Sequence, residues 1–196
     1  MKTLNPGSAV NSNSDKALML KVKKGELDKL GLLFERYHRG LYRYFYRMCR
    51  DKNTSEDLVQ SVFERLLKYR QSYTGEGKFS TWLFSIARNQ FNDHHRRSER
   101  IGNPVQLDED RLEMPEETTA PVHQVKEKKE ILEEALYALP EDYREVIILS
   151  RYEGLRYKEI AEIFESTEGA IKVKMFRAMK ELKDIALSFE KEYNYE

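Results

Sequence analysis

The chain has 196 residues, a formal net charge of zero, 40% hydrophobic and 35% charged residues, and a single cysteine. That length allows one domain or two small ones, each with a modest core. One cysteine excludes an internal disulfide and fits a reducing compartment. No apolar run approaches the roughly 18 residues that span a bilayer, and no charged-then-apolar leader opens the chain, so a cytoplasmic protein without membrane insertion is expected.

Residues 1–13 are polar, contain Pro6 and Gly7, and are expected to be disordered. A first helix is expected from near Ser14, with a break at Gly25. Leu27, Leu30, Phe34, Tyr37, Leu41, Tyr44, Phe45 and Met48 then recur every three or four residues, which predicts an amphipathic helix with a candidate interruption at Gly40. Cys49, on the same helix, reads as a small buried apolar residue. Thr54 with Asp57 three residues on resembles a capping box and predicts a helix to about Tyr69. Residues 71–79, with Gly75 and Gly77, predict a loop. Ser80 or Thr81 is the expected cap of a helix carrying Trp82, Phe84, Ile86, Ala87 and Phe91, with Trp82 in the core.

From residue 101 the periodicity stops, and Pro104, Pro115 and Pro121 punctuate an acidic stretch. Residues 32–100 hold fourteen Lys or Arg against eight acids, whereas residues 101–125 hold six acids and only Arg111. A basic first domain and a last helix whose Lys and Arg cluster over 172–183, on either side of an acidic connector, point to a polyanion touched at two places. A helix is expected from Val125 to just before Pro140, another over 141–152, another over 157–164, and a last one capped by Ser166. No segment alternates with period two. The expected fold is therefore all-α: two small helical domains, 14–100 and 125–190, joined by a flexible acidic linker over 101–124.

The stretch 154–182, GLRYKEIAEIFESTEGAIKVKMFRAMKEL, reads as two short helices around a tight corner. Ile171, Met175, Ala178, Leu182, Ile185 and Phe189 share one stripe, which predicts the buried face. The opposite face carries Gly169, Lys172, Val173, Phe176, Arg177 and Lys180. A basic helix of this kind enters the DNA major groove in a helix-turn-helix. Val173 and Phe176 argue for contact rather than solvation, because thymine methyls and sugars accept apolar groups beside phosphate-binding cations. They could instead pack on a partner protein.

A second motif precedes it: SEDLVQSVF at 55–63, FSTWLFSIARN at 79–89, and the basic tail His94–Arg97. With LPEDYREV at 139–146 and the helix-turn-helix, the chain resembles bacterial RNA polymerase sigma factors of the extracytoplasmic-function (ECF) class over nearly its whole length. The resemblance implies that Asp57, Leu58, Gln60, Ser61 and Phe63 lie on a helix docking on the coiled coil of the polymerase largest subunit. Asp57 and Gln60 would face out, while Leu58, Val62 and Leu66 face in. It implies that Tyr73, Lys78, Arg88, Asn89, Arg96 and Arg97 serve the downstream promoter element, Tyr73 and Asn89 capturing a flipped base and the arginines holding phosphates. Lys172, Val173, Lys174, Phe176, Arg177 and Lys180 would read the upstream element. Core polymerase (coiled coil and flap region), promoter DNA and an anti-sigma factor are the implied partners.

The residues themselves allow other roles: Tyr73 as a loop-end core residue, Asn89 as a surface amide, the Asp57 helix as merely solvated. The chain departs from the family pattern at Glu165, where Gly is usual, at Ala170, where Thr is common, and at Lys174, where Arg is frequent and would contact guanine bidentately. No nucleophile–base pair, phosphate loop or metal set is visible, and adjacent His94 and His95 point to different sides of a helix, so neither enzyme activity nor a cofactor is expected. Two alternatives stay open. One is a helix-turn-helix regulator that binds duplex DNA without directing initiation; the other is a helical adaptor whose main partner is protein.

Overall fold

The computed structural model describes residues 14–101 and 122–193, and every regular element among them is helical. In chain order these are α1 (Asp15–Lys23), α2 (Lys29–Cys49), α3 (Lys52–Lys68), α4 (Phe79–Ile101), α5 (Val122–Ala138), α6 (Glu141–Ile147), α7 (Tyr157–Ile163) and α8 (Glu168–Tyr193). The expected disorder of residues 1–13 lies outside the described residues, as does most of the expected linker. Residue 101 and residues 122–124 belong to α4 and α5.

Local chemistry sets most of the helix ends. Ser14 caps α1 by accepting from the Ala17 amide at 3.3 Å. The break at Gly25 is a left-handed turn (φ 105°), in which the Glu26 amide donates to Lys21 and the Gly25 amide to Val22. α2 runs through Gly40 without interruption. A Cβ there would lie 3.2 Å from Glu153 Oε2, so the missing side chain is used for a close approach from the other half of the chain. α3 begins two residues before Thr54: the cap is Asp51, whose carboxylate accepts from the Thr54 amide at 2.5 Å. α4 likewise begins at Phe79, leaving Ser80 and Thr81 inside its first turn. The expected helix over 141–152 is present, but it leaves α-geometry at Ile148 and continues as a wide π turn through Tyr152.

α1–α4 close over Leu18, Met19, Leu33, Leu41, Tyr44, Phe45, Val62, Leu66, Leu83 and Ala87. In the other half the stripe foreseen on α8 is buried at Ile171, Met175, Ala178 and Leu182, with Ile185 and Phe189 packed against it. It meets Ala135, Leu139, Val146, Ile147, Ile160 and Ile163 of α5–α7. The two halves also touch each other. α4 packs on α7, and α2 on α6 and the π turn.

The α7–α8 corner repeats the α1–α2 turn without a glycine. Ser166 donates to Ala161 and Glu165 to Glu162, while Glu165 takes φ 51°. A β-carbon in that left-handed region costs roughly 1 kcal/mol. The cap of α8 is Thr167, whose Oγ1 accepts from the Ala170 amide at 3.1 Å, one residue after the expected Ser166.

Candidate nucleic-acid interface

α8 presents an open face. Lys172, Val173, Phe176, Arg177 and Lys180 are all exposed, Phe176 by 73%. An aromatic ring that far out of the core lacks an intramolecular reason for its position. Lys172 Nζ lies 2.7 Å from Glu168, one turn back, and this bond holds the Glu168 carboxyl below its ordinary range. Lys174 is the exception among the six expected residues: it is half-buried, 2.6 Å from Asp142 of α6 and 5.3 Å from the Phe164 ring. Asp142, Tyr143, Gly169, Ala170, Val173, Lys174 and Arg177 line a groove of about 440 Å³ along this edge.

On α3 the expected docking residues divide by helical position. Asp57 and Gln60 are exposed, whereas Leu58 and Phe63 are buried and Ser61 is half-buried, its carbonyl accepting from Gln90 at 3.2 Å. One stripe of α3 must cover the core, so the surface left for a partner is the polar one. Phe63 packs against the exposed Phe34, the ring centres 4.9 Å apart.

The segment before α4 brings a correction. Tyr73 is 2% exposed, its ring 4.9 Å from Trp82 and 6.1 Å from Phe79, and Lys23 donates to its carbonyl at 2.7 Å. Burial pushes its phenol up. In this conformation the ring is enclosed and its apolar surface is used in the core, beside a half-buried Trp82. Asn89, Arg96 and Arg97 are exposed, Arg96 lying 3.4 Å from Asp93.

Lys78 and Arg88 have partners across the chain. Lys78 Nζ lies 2.6 Å from Glu159 of α7. Arg88 donates through Nε to Glu145 of α6 at 3.2 Å, and its guanidinium lies 4.3 Å from the centre of the Phe164 ring. Glu145 is 2% exposed, and its other oxygen accepts from the Tyr44 hydroxyl at 2.7 Å. Burial pushes the Glu145 carboxyl up despite the opposing pull of Arg88 and Tyr44. The Tyr44 phenol, fully buried beside that carboxylate, rises as well. Burial also desolvates Glu159, but the bonds from Lys78 and the Arg156 amide outweigh it and leave that carboxyl below its ordinary range. Glu153 sits against Gly40, and burial lifts it to about 7 although Arg43 and Arg47 pull it down. Arg47 covers the Tyr152 ring at 3.9 Å, Arg144 donates to the Met48 carbonyl at 2.6 Å, and Arg50 pairs with Glu134 at 2.9 Å.

Lys78 and Arg88 were singled out from sequence, but neither of their carboxylate partners, Glu159 and Glu145, was. Glu145 carried a signal, since it shares a helical face with Ile148 and Leu149, and a charge on an apolar stripe calls for a buried partner. The others carried none, because their partners lie dozens of residues away. Among the described residues no three His, Cys, Asp or Glu side chains are grouped to hold a metal, and no helix is long and apolar enough to cross a membrane.

Comparison with known proteins agrees with this layout. Residues 33–101 match the family model for sigma-70 region 2, and residues 129–182 that for sigma-70 region 4. The chain is 34% identical over 153 residues to the ECF RNA polymerase sigma factor SigM of Bacillus subtilis, covering 77% of this chain and 91% of that one. It is 33% identical over 178 residues to BldN of Streptomyces coelicolor, also an ECF sigma factor, covering 87% of this chain and 67% of that one. Among solved structures, CnrH in complex with the cytosolic domain of CnrY shares the fold at a TM-score of 0.67 and 20% identity, over 89% of this chain and 97% of that one. The sigma factor RpoE of Bartonella quintana, in complex with the anti-sigma factor NepR, does so at 0.64 and 24%, over 80% and 95%. With both regions in order and a relative of this similarity spanned almost end to end, the chain belongs to the ECF sigma factors of the sigma-70 family.

Proposed function

We propose that this sigma factor divides promoter-directed initiation among three helices. The outward face of α3, with Asp57 and Gln60, docks on the coiled coil of the polymerase largest subunit. Lys78, Arg88, Asn89, Arg96 and Arg97 hold the opened downstream strand, without a stacking role for Tyr73 in the conformation described. Lys172, Val173, Phe176, Arg177 and Lys180 read the upstream element in the major groove. Lys174, tied to Asp142, contributes to that surface through position rather than base contact.

The observation that carries this reading is the exposed Val173–Phe176 pair framed by cations on α8, in a chain whose other half holds a second basic surface. No covalent step is involved; binding free energy from captured bases and phosphates drives strand opening. The protein works in the cytoplasm beside the polymerase, and an anti-sigma factor of the kind bound to RpoE is the expected regulator.

Run-off transcription on sheared bacterial genomic DNA, with core polymerase plus and minus this protein, tests the proposal. New start sites sharing an upstream and a downstream element are expected. Duplex binding by the isolated chain with no new starts would assign it instead to helix-turn-helix regulators that do not direct initiation.

A further inference from the structure

The loop ahead of α4 is held by a helix that lies outside the family match. α1 precedes residues 33–101, the span of the region 2 model. Leu18, Met19 and Val22 bury it in the core, and Asp15 at its start accepts from Arg36 and from the Tyr37 hydroxyl of α2, each at 2.6 Å. Its last turn reaches the loop through a reciprocal pair of bonds. Lys23 Nζ donates to the Tyr73 carbonyl at 2.7 Å, and the Gln71 side-chain amide donates to the Lys23 carbonyl at 3.0 Å. The second bond satisfies a helix-end carbonyl that has no partner within its helix. The first is charge-assisted and the stronger of the two. Gly75 completes the contact: a Cβ there would stand 3.2 Å from Lys16 Cε and 3.6 Å from Leu20 Cδ2, so the loop backbone lies directly on α1.

These contacts give the buried Tyr73 a use. Its ring is fixed between Phe79 and Trp82 and its carbonyl by Lys23, so the chain leaves this point in a set direction. Thr74, Glu76 and Lys78 follow, all exposed, with Thr74 Oγ1 accepting from the Glu76 amide at 3.1 Å. We propose that α1 is a positioning element for strand opening, in which Lys23, through the Tyr73 carbonyl, sets the path of the 74–78 loop that the unpaired downstream bases meet. This rests on the reading of Lys78 as a strand contact. Lys23 acts through the loop, because its ammonium is engaged on a backbone carbonyl. A loop already held in shape loses little freedom when the bases arrive, so more of the binding free energy goes into opening.

The test uses holoenzyme assembled from core polymerase and the full chain, on a promoter recovered by the run-off experiment. Permanganate reactivity of unpaired thymines gives the opening rate. Promoters substituted singly along the downstream element give the base preference. Lys23→Met keeps the methylene stem and removes the donor. It is expected to slow opening about tenfold, the loss that accompanies one hydrogen bond to a charged group, and to flatten the base preference where the loop meets the strand. Affinity for the still-closed promoter, measured in the cold, should stay at the wild-type level. Lys23→Arg, which can still donate to a carbonyl, should restore both readouts. Lys24→Met, the same loss of charge on the exposed neighbour, should alter neither.

Wild-type opening by Lys23→Met, slower opening with unchanged base preference, or an equal loss in Lys24→Met would each overturn the proposal. If Lys23→Met loses helix by circular dichroism, Gln71→Ala, which removes the reciprocal bond from an exposed residue, must show the same direction at smaller size or the idea fails. Failure of the strand-contact reading would appear separately, as wild-type opening and base preference in Lys78→Ala, and would remove the proposal with it. A defective Lys78→Ala beside a wild-type Lys23→Met would sink the role of α1 alone.

Discussion

The two basic surfaces of this protein were recognisable by the same logic, yet the fold treats them differently. The α8 face stands open, with Phe176 and Arg177 in solvent. The α4 face is covered at Lys78 and Arg88 by carboxylates of the other half. On the proposed assignment, duplex reading needs no rearrangement of the closed chain, whereas strand opening does. A basic residue in a motif gives the chemistry of a contact; only its neighbours say whether that contact is available.

The sharpest way to break the comparison is to remove one arginine from each surface. Arg88→Ala strips the buried Glu145 of its cation and should cost about 2–4 kcal/mol in urea unfolding. Arg177→Ala, on the open face, should change stability by less than about 0.5 kcal/mol. Equal costs would mean that the two surfaces do not differ as described.

Acidity tests the closure next. The Glu153 carboxyl is lifted to about 7 in the closed chain, so the closed form holds a proton that the open form releases. Closure is then favoured as pH falls from about 7 towards the ordinary carboxylate range of about 4.5 and weakens as pH rises back to 7, with a change of up to about a few hundredfold in the closed-to-open ratio across that window. Glu145, also raised, works in the same direction. Glu159 is lowered, so its bond to Lys78 is kept above its ordinary range and lost only in stronger acid. Scattering between about pH 5 and pH 8 should show the expansion, and Glu153→Gln should flatten it.

Phe176→Ala should weaken binding to an upstream-element duplex about tenfold in anisotropy while leaving the melting temperature and the closed dimensions unchanged. The smallest effect is expected at the corner. Glu165→Gly should stabilise the chain by about 0.5–1 kcal/mol in thermal unfolding, because it relieves a left-handed φ of 51° without touching either surface.

Periodicity carried most of the fold. The stripe Ile171, Met175, Ala178 and Leu182 and the turn at Gly25 follow from helical spacing and from glycine's freedom at positive φ. Helix starts were less legible, since Asp51 competes with Thr54, and Thr167 with Ser166, for the same capping role within a residue or two. Gly40 misled because a close approach from Glu153, invisible locally, uses the glycine without breaking the helix. Tyr73 shows the limit of motif reasoning: an aromatic beside Phe79 and Trp82 gains by joining them in the core. Of the closure, only Glu145 left a trace in the sequence, a lone charge on an apolar face.

One feature of α2 gives the protein a native clock. Cys49 is the sole thiol of the chain. It is buried, which pushes its thiol up and keeps it protonated. It adjoins Met48, whose carbonyl is held by Arg144 of the opposite half. A thiol reagent in excess therefore reacts at a rate set by how often this end of α2 is uncovered, and a single covalent mark per molecule records it. Because the thiol is bonded within its own half, to Phe45, Asp51 and Ser55, the unlabelled wild-type chain can in this way report how often that core opens.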